Sequence, residues 1–234
     1  MITGARNVDW EAAASGPCGT AQGVDSATRC IYIGDVGDNG ADRSHLTIYR
    51  VLEPRAASAR THSALPAERV EIRYPTGRHD VEAMYVAANG DLFLLSKRPL
   101  RGAAGQLRPS LVFRLASSAW GRAGPVMTEL IDSLPIVPGQ VPGRMVTDAA
   151  LAPDGVRLAV RTYGEVYIIA LDPVSGRLER AAPWWSCPVV ALEERQGEGI
   201  GWLGDDVVLT SEGRNAPLHI VSCPRPGATD SSGR

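Results

Sequence analysis

An acidic residue recurs at the same point of four successive segments of this chain, and no other feature constrains the fold more. The segments are Asp9-Trp10-Glu11-Ala12-Ala13, Asp80-Val81-Glu82-Ala83-Met84, Val146-Thr147-Asp148-Ala149-Ala150 and Gln196-Gly197-Glu198-Gly199-Ile200. In the last three, a second apolar run ends 14 or 15 residues after the acid, at Lys97, Thr162 and Glu212. An internal repeat of this kind indicates a protein built from repeated structural units.

Each unit continues with a third apolar run, and turn signals such as Asn89-Gly90-Asp91 and Pro153-Asp154-Gly155 separate the runs. Units of roughly 45–70 residues with about four antiparallel strands are typical of β-propeller blades. A β-sandwich is the alternative, but it does not explain an acid that recurs at one point of each unit. We therefore predict an all-β propeller with four recognisable blades.

The predicted blades span about residues 9–77, 80–137, 145–186 and 196–223 of a single domain, 1–223. The tail 224–234 is rich in Pro, Gly and Ser, and we expect it to be disordered. The acid opens the innermost strand of each blade and the next strand runs back. The start of the innermost strand and the end of the next strand should therefore lie side by side on one rim of the channel.

We expect this rim to bind a ligand or a protein partner through Glu82, Lys97, Asp148, Arg161 and Thr162. A structural interpretation stays open, in which Glu82 with Lys97 and Asp148 with Arg161 form salt bridges that fix the strand register. In a third interpretation, Lys97, Arg98 and Arg161 bind an anionic group in the channel.

The acidic loop Asp35-Val36-Gly37-Asp38-Asn39-Gly40-Ala41-Asp42 is a candidate calcium site. Ca²⁺ takes six to eight oxygen ligands, and glycines allow the backbone to wrap around the ion. The predicted metal ligands are Asp9, Glu11, Asp35, Asp38 and Asn39. The alternative is a tight turn in which Asp and Asn side chains accept hydrogen bonds from their own backbone.

Three further residues are candidates for catalysis. Glu198 and Glu212 form a second acidic pair, of the kind that general acid–base chemistry uses, although a solvated channel mouth tolerates such a pair as well. His79 precedes Asp80 at the same rim and is either a base or a hydrogen-bonded structural residue. The sequence from Gly199 to Gly204 spells G-x-G-x-x-G, but a turn and a strand follow it rather than a helix, so it predicts no dinucleotide site.

The four cysteines lack the close spacing of a structural zinc site. Cys18 and Cys30 flank a polar loop and suit a disulfide, and Cys187 and Cys223 are available for a second one. Four reduced, buried thiols are the alternative.

Several of these segments resemble a family of bacterial β-propeller proteins that is largely uncharacterised and often exported. The resemblance covers about residues 2–222 and is carried by Val8-Asp9-Trp10-Glu11, Val146-Thr147-Asp148-Ala149, Arg161-Thr162-Tyr163, Gln196-Gly197-Glu198 and above all Gly34-Asp35-Val36-Gly37-Asp38-Asn39. It implies a five-bladed ring whose first blade, together with any export signal, is missing here, and a secreted or periplasmic full-length protein. It implies no activity.

Net charge and hydropathy argue against two classes of function, nucleic-acid binding and membrane spanning. The formal net charge is −2, so the chain lacks the basic excess that drives nucleic-acid binding. No run approaches 18 apolar residues, so we expect no membrane span. The sequence predicts a binding or scaffold propeller with a polar, cation-binding rim. The alternative is a Ca²⁺-dependent hydrolase of lactones, esters or phosphoesters, with Asp9, Glu11 and Asp148 on the ion and His79 or Glu198 taking the proton.

Overall fold

The computed structural model describes residues 2–19, 28–54, 65–98, 100–101, 104–137 and 142–226, and these contain twenty β-strands and no α-helix. In chain order the strands are β1 (Ile2–Thr3), β2 (Trp10–Pro17), β3 (Arg29–Asp35), β4 (Leu46–Leu52), β5 (Leu65–Pro66), β6 (Glu68–Arg73), β7 (Val81–Val86), β8 (Leu92–Ser96), β9 (Leu100–Arg101), β10 (Leu107–Arg108), β11 (Leu111–Leu115), β12 (Val126–Met127), β13 (Glu129–Ser133), β14 (Val146–Leu151), β15 (Arg157–Thr162), β16 (Glu165–Ala170), β17 (Trp185–Pro188), β18 (Gly197–Leu203), β19 (Asp206–Ser211) and β20 (Leu218–Val221). Short 3₁₀ helices lie at Ser117–Ala119, Pro142–Arg144 and Val190–Leu192.

Four sheets form a ring, which is the arrangement of a four-bladed β-propeller, and the predicted fold class is confirmed. From the channel outwards the blades are β2-β3-β4-β6-β12, β7-β8-β11-β13, β14-β15-β16-β17 and β18-β19-β20. The inner strands pack side by side in chain order, β2 on β7, β7 on β14 and β14 on β18. Two small pairs, β1 with β5 and β9 with β10, lie outside these sheets.

The hydrophobic core lies between the blades, because successive side chains of a strand point to opposite faces of its sheet. Strand β8 shows this clearly. Leu92 and Leu94 are buried against the first blade, whereas Phe93 and Leu95 are buried against the third. Full burial of one such side chain contributes about 1.5–3 kcal/mol. A third core fills the space between the third and fourth blades, with Ala159, Val166, Ile168, Val207 and Leu209.

One strand boundary differs from the sequence pattern. The run from Met127 to Ile131 reads as a single outer strand of the second blade. In the structure Val126–Met127 instead pairs in parallel with β6 of the first blade, and Glu129–Ser133 pairs with β11 of the second. Thr128 lies at the crossing and donates from its backbone N–H and its hydroxyl to the carbonyl of Arg73. This segment therefore fastens the two blades together.

Both cysteine pairs form disulfides, so the alternative of four reduced thiols is wrong. Cys18–Cys30 joins the ends of β2 and β3 within the first blade. Cys187–Cys223 joins β17 of the third blade to the residues that follow β20 of the fourth. Such bonds stabilise a fold chiefly by restricting the unfolded chain. In the described ranges, no helix is both long and apolar enough to cross a membrane.

Candidate functional site

Three glutamates from three different blades converge at one end of the channel. Glu11 on β2, Glu82 on β7 and Glu198 on β18 each place a carboxylate oxygen within 4.8 Å of those of the other two. Glu82 is fully buried, whereas Glu11 and Glu198 are partly exposed. We call this group the carboxylate cluster. It lies on the rim that the repeat predicted, but it combines residues that the sequence analysis had placed in three separate candidate sites.

A β-bulge at the start of each inner strand explains the convergence. Between the inner strand and its neighbour the register shifts by one residue in every blade, which leaves one residue without a partner in the ladder. The unpaired residues are Glu11, Glu82, Thr147 and Glu198. Bulges often re-aim a side chain beside functional sites.

The third blade therefore departs from the sequence alignment of the four units. The repeat aligned Asp148 with the glutamates, but the hydrogen-bond register aligns Thr147 with them. The Thr147 hydroxyl is buried and has no hydrogen-bond partner among the described residues. No signal in the sequence identified this threonine, because an acid stands directly beside it.

Glu82 makes the ion pair that the spacing predicted. The ammonium of Lys97 donates to Glu82 Oε1 over 2.8 Å, and both side chains are largely buried. Burial raises the pKa of Glu82 to about 7 even though Lys97 acts in the opposite direction. Burial alone would lower the pKa of Lys97, but the hydrogen bond and charge of Glu82 raise it. The second oxygen, Glu82 Oε2, is buried without a hydrogen-bond partner in the described part of the chain.

Glu11 has the most perturbed carboxyl group of the cluster. Burial, the charge of Glu82 and the nearby Asp9 raise its pKa to about 8. Carboxylates held close together cannot all stay ionised cheaply, so either protons or a bound cation must compensate them. The cluster therefore attracts positive charge at neutral pH.

Glu198 is held by two neutral donors. The hydroxyl of Tyr163 donates to Glu198 Oε1 over 2.8 Å, and the side-chain amide of Gln196 donates to the same oxygen over 2.6 Å. Burial and this hydrogen bond raise the pKa of Tyr163 to about 12, so the phenol keeps its proton at neutral pH. Tyr163 and Gln196 also line a cleft of about 460 Å³ beside Val190 and Glu194.

The side chains of Asp148, Arg161 and Thr162 form hydrogen bonds with other groups of the protein. Asp148 accepts from the backbone N–H groups of Ala149 and Ile200, each over 2.8 Å, and burial raises its pKa to about 7. The hydroxyl of Thr162 accepts from the backbone N–H of Glu165 over 3.0 Å in a turn. Asp148 thereby connects the inner strands of the third and fourth blades.

Arg161 is fully buried between the third and fourth blades and forms its salt bridge with Glu194, a residue that the sequence analysis did not single out. It also donates to the carbonyls of Gly199 and Thr210, each over 2.7 Å. A side chain at Gly197 would collide with its guanidinium, which explains the glycine there. The guanidinium is thus engaged by protein groups.

Within the acidic loop, protein groups donate hydrogen bonds to the side chains of Asp35, Asp38 and Asn39. Asp35 accepts from the backbone N–H groups of Val8 and Asp9, and its carboxylate lies 2.8 Å from the guanidinium of Arg43. Asp38 Oδ1 accepts from the backbone of Asp42 over 2.9 Å. Asn39 Oδ1 accepts from Arg98 over 3.3 Å, whereas Asp9 approaches Glu11. These contacts are those of a tight turn.

The remaining catalytic candidates lie outside the carboxylate cluster. His79 packs against Tyr74 and Phe113 with ring centroids 5.6 and 5.1 Å away, and it shares a hydrogen bond of 2.8 Å with the hydroxyl of Thr76. Burial lowers the pKa of His79. Glu212 is exposed, and its backbone N–H donates to the carbonyl of Gln196. The carboxylate of Glu198 thus lies close to those of Glu11 and Glu82, and not in the predicted pair with Glu212.

Comparison with protein-family models and with curated proteins finds no match for this chain. The resemblance to a bacterial propeller family therefore stays a prediction.

Proposed function

We propose that this protein is a β-propeller binding module that captures a positively charged ligand at the mouth of its channel. The observation that carries the proposal is the convergence of Glu11, Glu82 and Glu198 within 4.8 Å. Each glutamate comes from a different blade, so the arrangement of the blades in a ring brings them together. A ligand bound here contacts several blades at once.

The charges around the mouth support this choice of ligand. Lys97 compensates one of the three carboxylates. Arg161, another buried cation, is engaged by Glu194 and by two backbone carbonyls of the fourth blade. The donors on Glu198 are a phenol and an amide, which add no positive charge. A negative potential focused in a partly buried pocket attracts cations from solvent.

Room for the rest of a ligand lies next to the cluster. The cleft of about 460 Å³ shares Tyr163 and Gln196 with the hydrogen bonds on Glu198. Ligand pockets of about 300–1,000 Å³ accommodate small organic molecules. A charged group of a ligand or partner protein at the cluster would place the remainder of the molecule in this cleft.

Two cationic probes test the proposal, calcium chloride and spermidine. A ligand that binds the native state raises its melting temperature by mass action. We expect at least one probe to raise the melting temperature of the wild-type chain, and the Glu82→Gln/Glu198→Gln double variant to lose the response. Glu212→Gln, an exposed change on the same rim, should respond like the wild type. No response to either probe would overturn the proposal.

The alternative is a Ca²⁺-dependent hydrolase, and Tyr163 is the observation that favours it. A bound cation polarises a substrate oxygen and lowers the pKa of a bound water. The protonated phenol beside Glu198 would supply a proton donor for the leaving group. A screen of lactones, esters and phosphoesters in calcium tests this role. Turnover that Tyr163→Phe and Glu82→Gln both abolish would support it, and absence of turnover would reject it.

We also propose that the protein works in an exported location, either secreted or periplasmic. The two disulfides support this, since such bonds persist in oxidising compartments. Detection of the oxidised cysteine pairs in protein isolated from its natural source, by mass spectrometry of alkylated peptides, tests the location.

A further inference from the structure

We infer that the positively charged ligand is a single divalent metal ion, with Ca²⁺ as the best fit, bound by Glu11, Glu82, Glu198 and the hydroxyl of Thr147. The inference rests on the proposed function and specifies its ligand. It differs from the calcium site that the acidic loop suggested, because only Glu11 belongs to both sets. It also adds a neutral ligand, Thr147, that a search for acidic residues misses.

The first argument is the equivalence of the four positions. Each residue is the unpaired member of a β-bulge at the start of an inner strand. Inner strands pack around one channel, so equivalent positions present their side chains at the same level of the ring. One oxygen donor per blade is therefore directed at the same end of the channel.

The second argument is that two of the buried oxygen atoms without hydrogen-bond partners lie at these bulge positions. Both Glu82 Oε2 and Thr147 Oγ1 are buried, and neither has a hydrogen-bond partner in the described residues. A buried polar group without a hydrogen bond destabilises the folded state, and the penalty is larger if the group is charged. Buried polar atoms of native proteins nearly always have a partner, which can be an ion. Two such atoms at equivalent bulges point to one shared partner.

The third argument is the distance between the ligand atoms. Ca²⁺ binds oxygen at about 2.3–2.6 Å, so two oxygens on one ion are separated by at most about 5 Å. The oxygens of Glu11, Glu82 and Glu198 satisfy this condition, since all lie within 4.8 Å of one another. Calcium takes oxygen ligands and can complete its coordination shell with water, so three carboxylates and one hydroxyl are a suitable set of donors.

The fourth argument is the charge balance. Three ionised carboxylates carry three negative charges, and Lys97 supplies one positive charge through Glu82 Oε1. Within the described residues, Glu11 and Glu198 form no salt bridge of their own. The remaining two negative charges match one divalent cation. Burial of charge is tolerated when it is compensated in this way.

Calorimetric titration of the full 234-residue chain, stripped with a chelator and then freed of it, tests the inference. Calcium chloride should bind with a stoichiometry of one per chain, and manganese chloride should give one bound ion by electron paramagnetic resonance. Glu82→Gln should weaken calcium binding at least roughly 100-fold, by loss of a charged ligand. Glu212→Gln on the same rim is the matched control and should bind like the wild type.

Thr147→Val separates a metal ligand from a structural residue. Valine keeps the shape of threonine and replaces the hydroxyl with a methyl group, and this hydroxyl has no hydrogen-bond partner among the residues that the structure describes. We expect calcium affinity to fall roughly tenfold, the loss of one neutral ligand, while the melting temperature without metal stays the same or rises. Circular dichroism of each variant confirms folding. Unchanged calcium affinity in Thr147→Val would exclude this hydroxyl from the site.

The probes distinguish failure of this inference from failure of the proposed function. If neither metal binds but spermidine stabilises the wild type and not Glu82→Gln, the mouth captures organic cations and the metal inference is wrong. If no probe binds, both are wrong. Calcium binding that survives Glu82→Gln and Thr147→Val would place the ion elsewhere and also overturn the inference.

Discussion

Glu82 and Thr147 occupy the same position in consecutive blades, and each has a buried oxygen without a hydrogen-bond partner in the described residues. One residue is an acid and the other a neutral alcohol, so their equivalence is not visible in the amino-acid sequence. The strand register reveals it, because both are the extra residue of a bulge. Because the two residues are equivalent, the proposed metal site includes the hydroxyl of Thr147 beside the carboxylate of Glu82.

The stability of the metal-free protein should fall as the pH rises from about 4.5 to about 8. The folded-state pKa is about 8 for Glu11 and about 7 for Glu82 and Asp148, against ordinary values of 4.5, 4.5 and 3.8. Between its ordinary and its raised pKa, each group binds more protons in the folded state than in the unfolded chain, so stability falls with rising pH across that interval and levels off above the folded-state pKa.

Urea denaturation in the presence of a chelator measures this dependence. Glu11→Gln removes one titrating group and should lessen the decline near pH 8. Comparison of the two proteins also cancels the contribution of His79, whose lowered pKa acts in the opposite direction at more acidic pH. Equal declines in wild type and variant would contradict the assignment to Glu11.

Gly197→Ala should destabilise the fold by about 1–3 kcal/mol, the usual cost of overpacking. The added methyl group would collide with the guanidinium of Arg161, which is fixed by Glu194. Gly201→Ala in the same strand is the matched control, because a methyl group there meets open space. Denaturation midpoints of the two variants, compared with the wild type, measure the difference. Similar midpoints would show that Arg161 moves aside.

Arg161→Met should destabilise the protein by about 3–5 kcal/mol, because it leaves the buried Glu194 without its cation. Combining it with Glu194→Gln should recover part of this loss, since the uncompensated charge is then removed. A double-mutant cycle from denaturation curves gives the coupling between the two residues. Additive effects would mean that the salt bridge contributes little beyond packing.

Loss of the Cys187–Cys223 bond should cost about 4 kcal/mol, and loss of Cys18–Cys30 about 3 kcal/mol, by the dependence of chain entropy on loop length. The bonds span 36 and 12 residues, respectively. Paired Cys→Ser variants, studied by chemical denaturation, test this order. A larger effect from the shorter loop would indicate that the first disulfide also holds native contacts.

The fold was predictable from the sequence because a propeller repeats its pattern. Apolar runs and turns recur in each unit, and strand β8 alternates between two cores as the period of two requires. The run after Val126 was not predictable in detail. Its division between two blades depends on a tertiary contact at Arg73 that local pattern does not contain.

The candidate site was predictable only in part. The repeat placed Glu11, Glu82 and Glu198 at equivalent points, but their distances depend on how three blades close around a channel. Asp148 was the reasonable choice for the third blade, and it instead accepts backbone hydrogen bonds from its neighbours. A bulge moves the equivalence by one residue, and only the hydrogen-bond ladder reports that shift.

The blades of a propeller are copies of one structural module, yet the four bulges make a site to which every blade contributes a different residue. The mouth takes Glu from the first, second and fourth blades and Thr from the third. A single duplicated or transplanted module would therefore carry one oxygen and no site. A change at any one of these four residues therefore alters the whole proposed site, although the residue itself lies in one blade only.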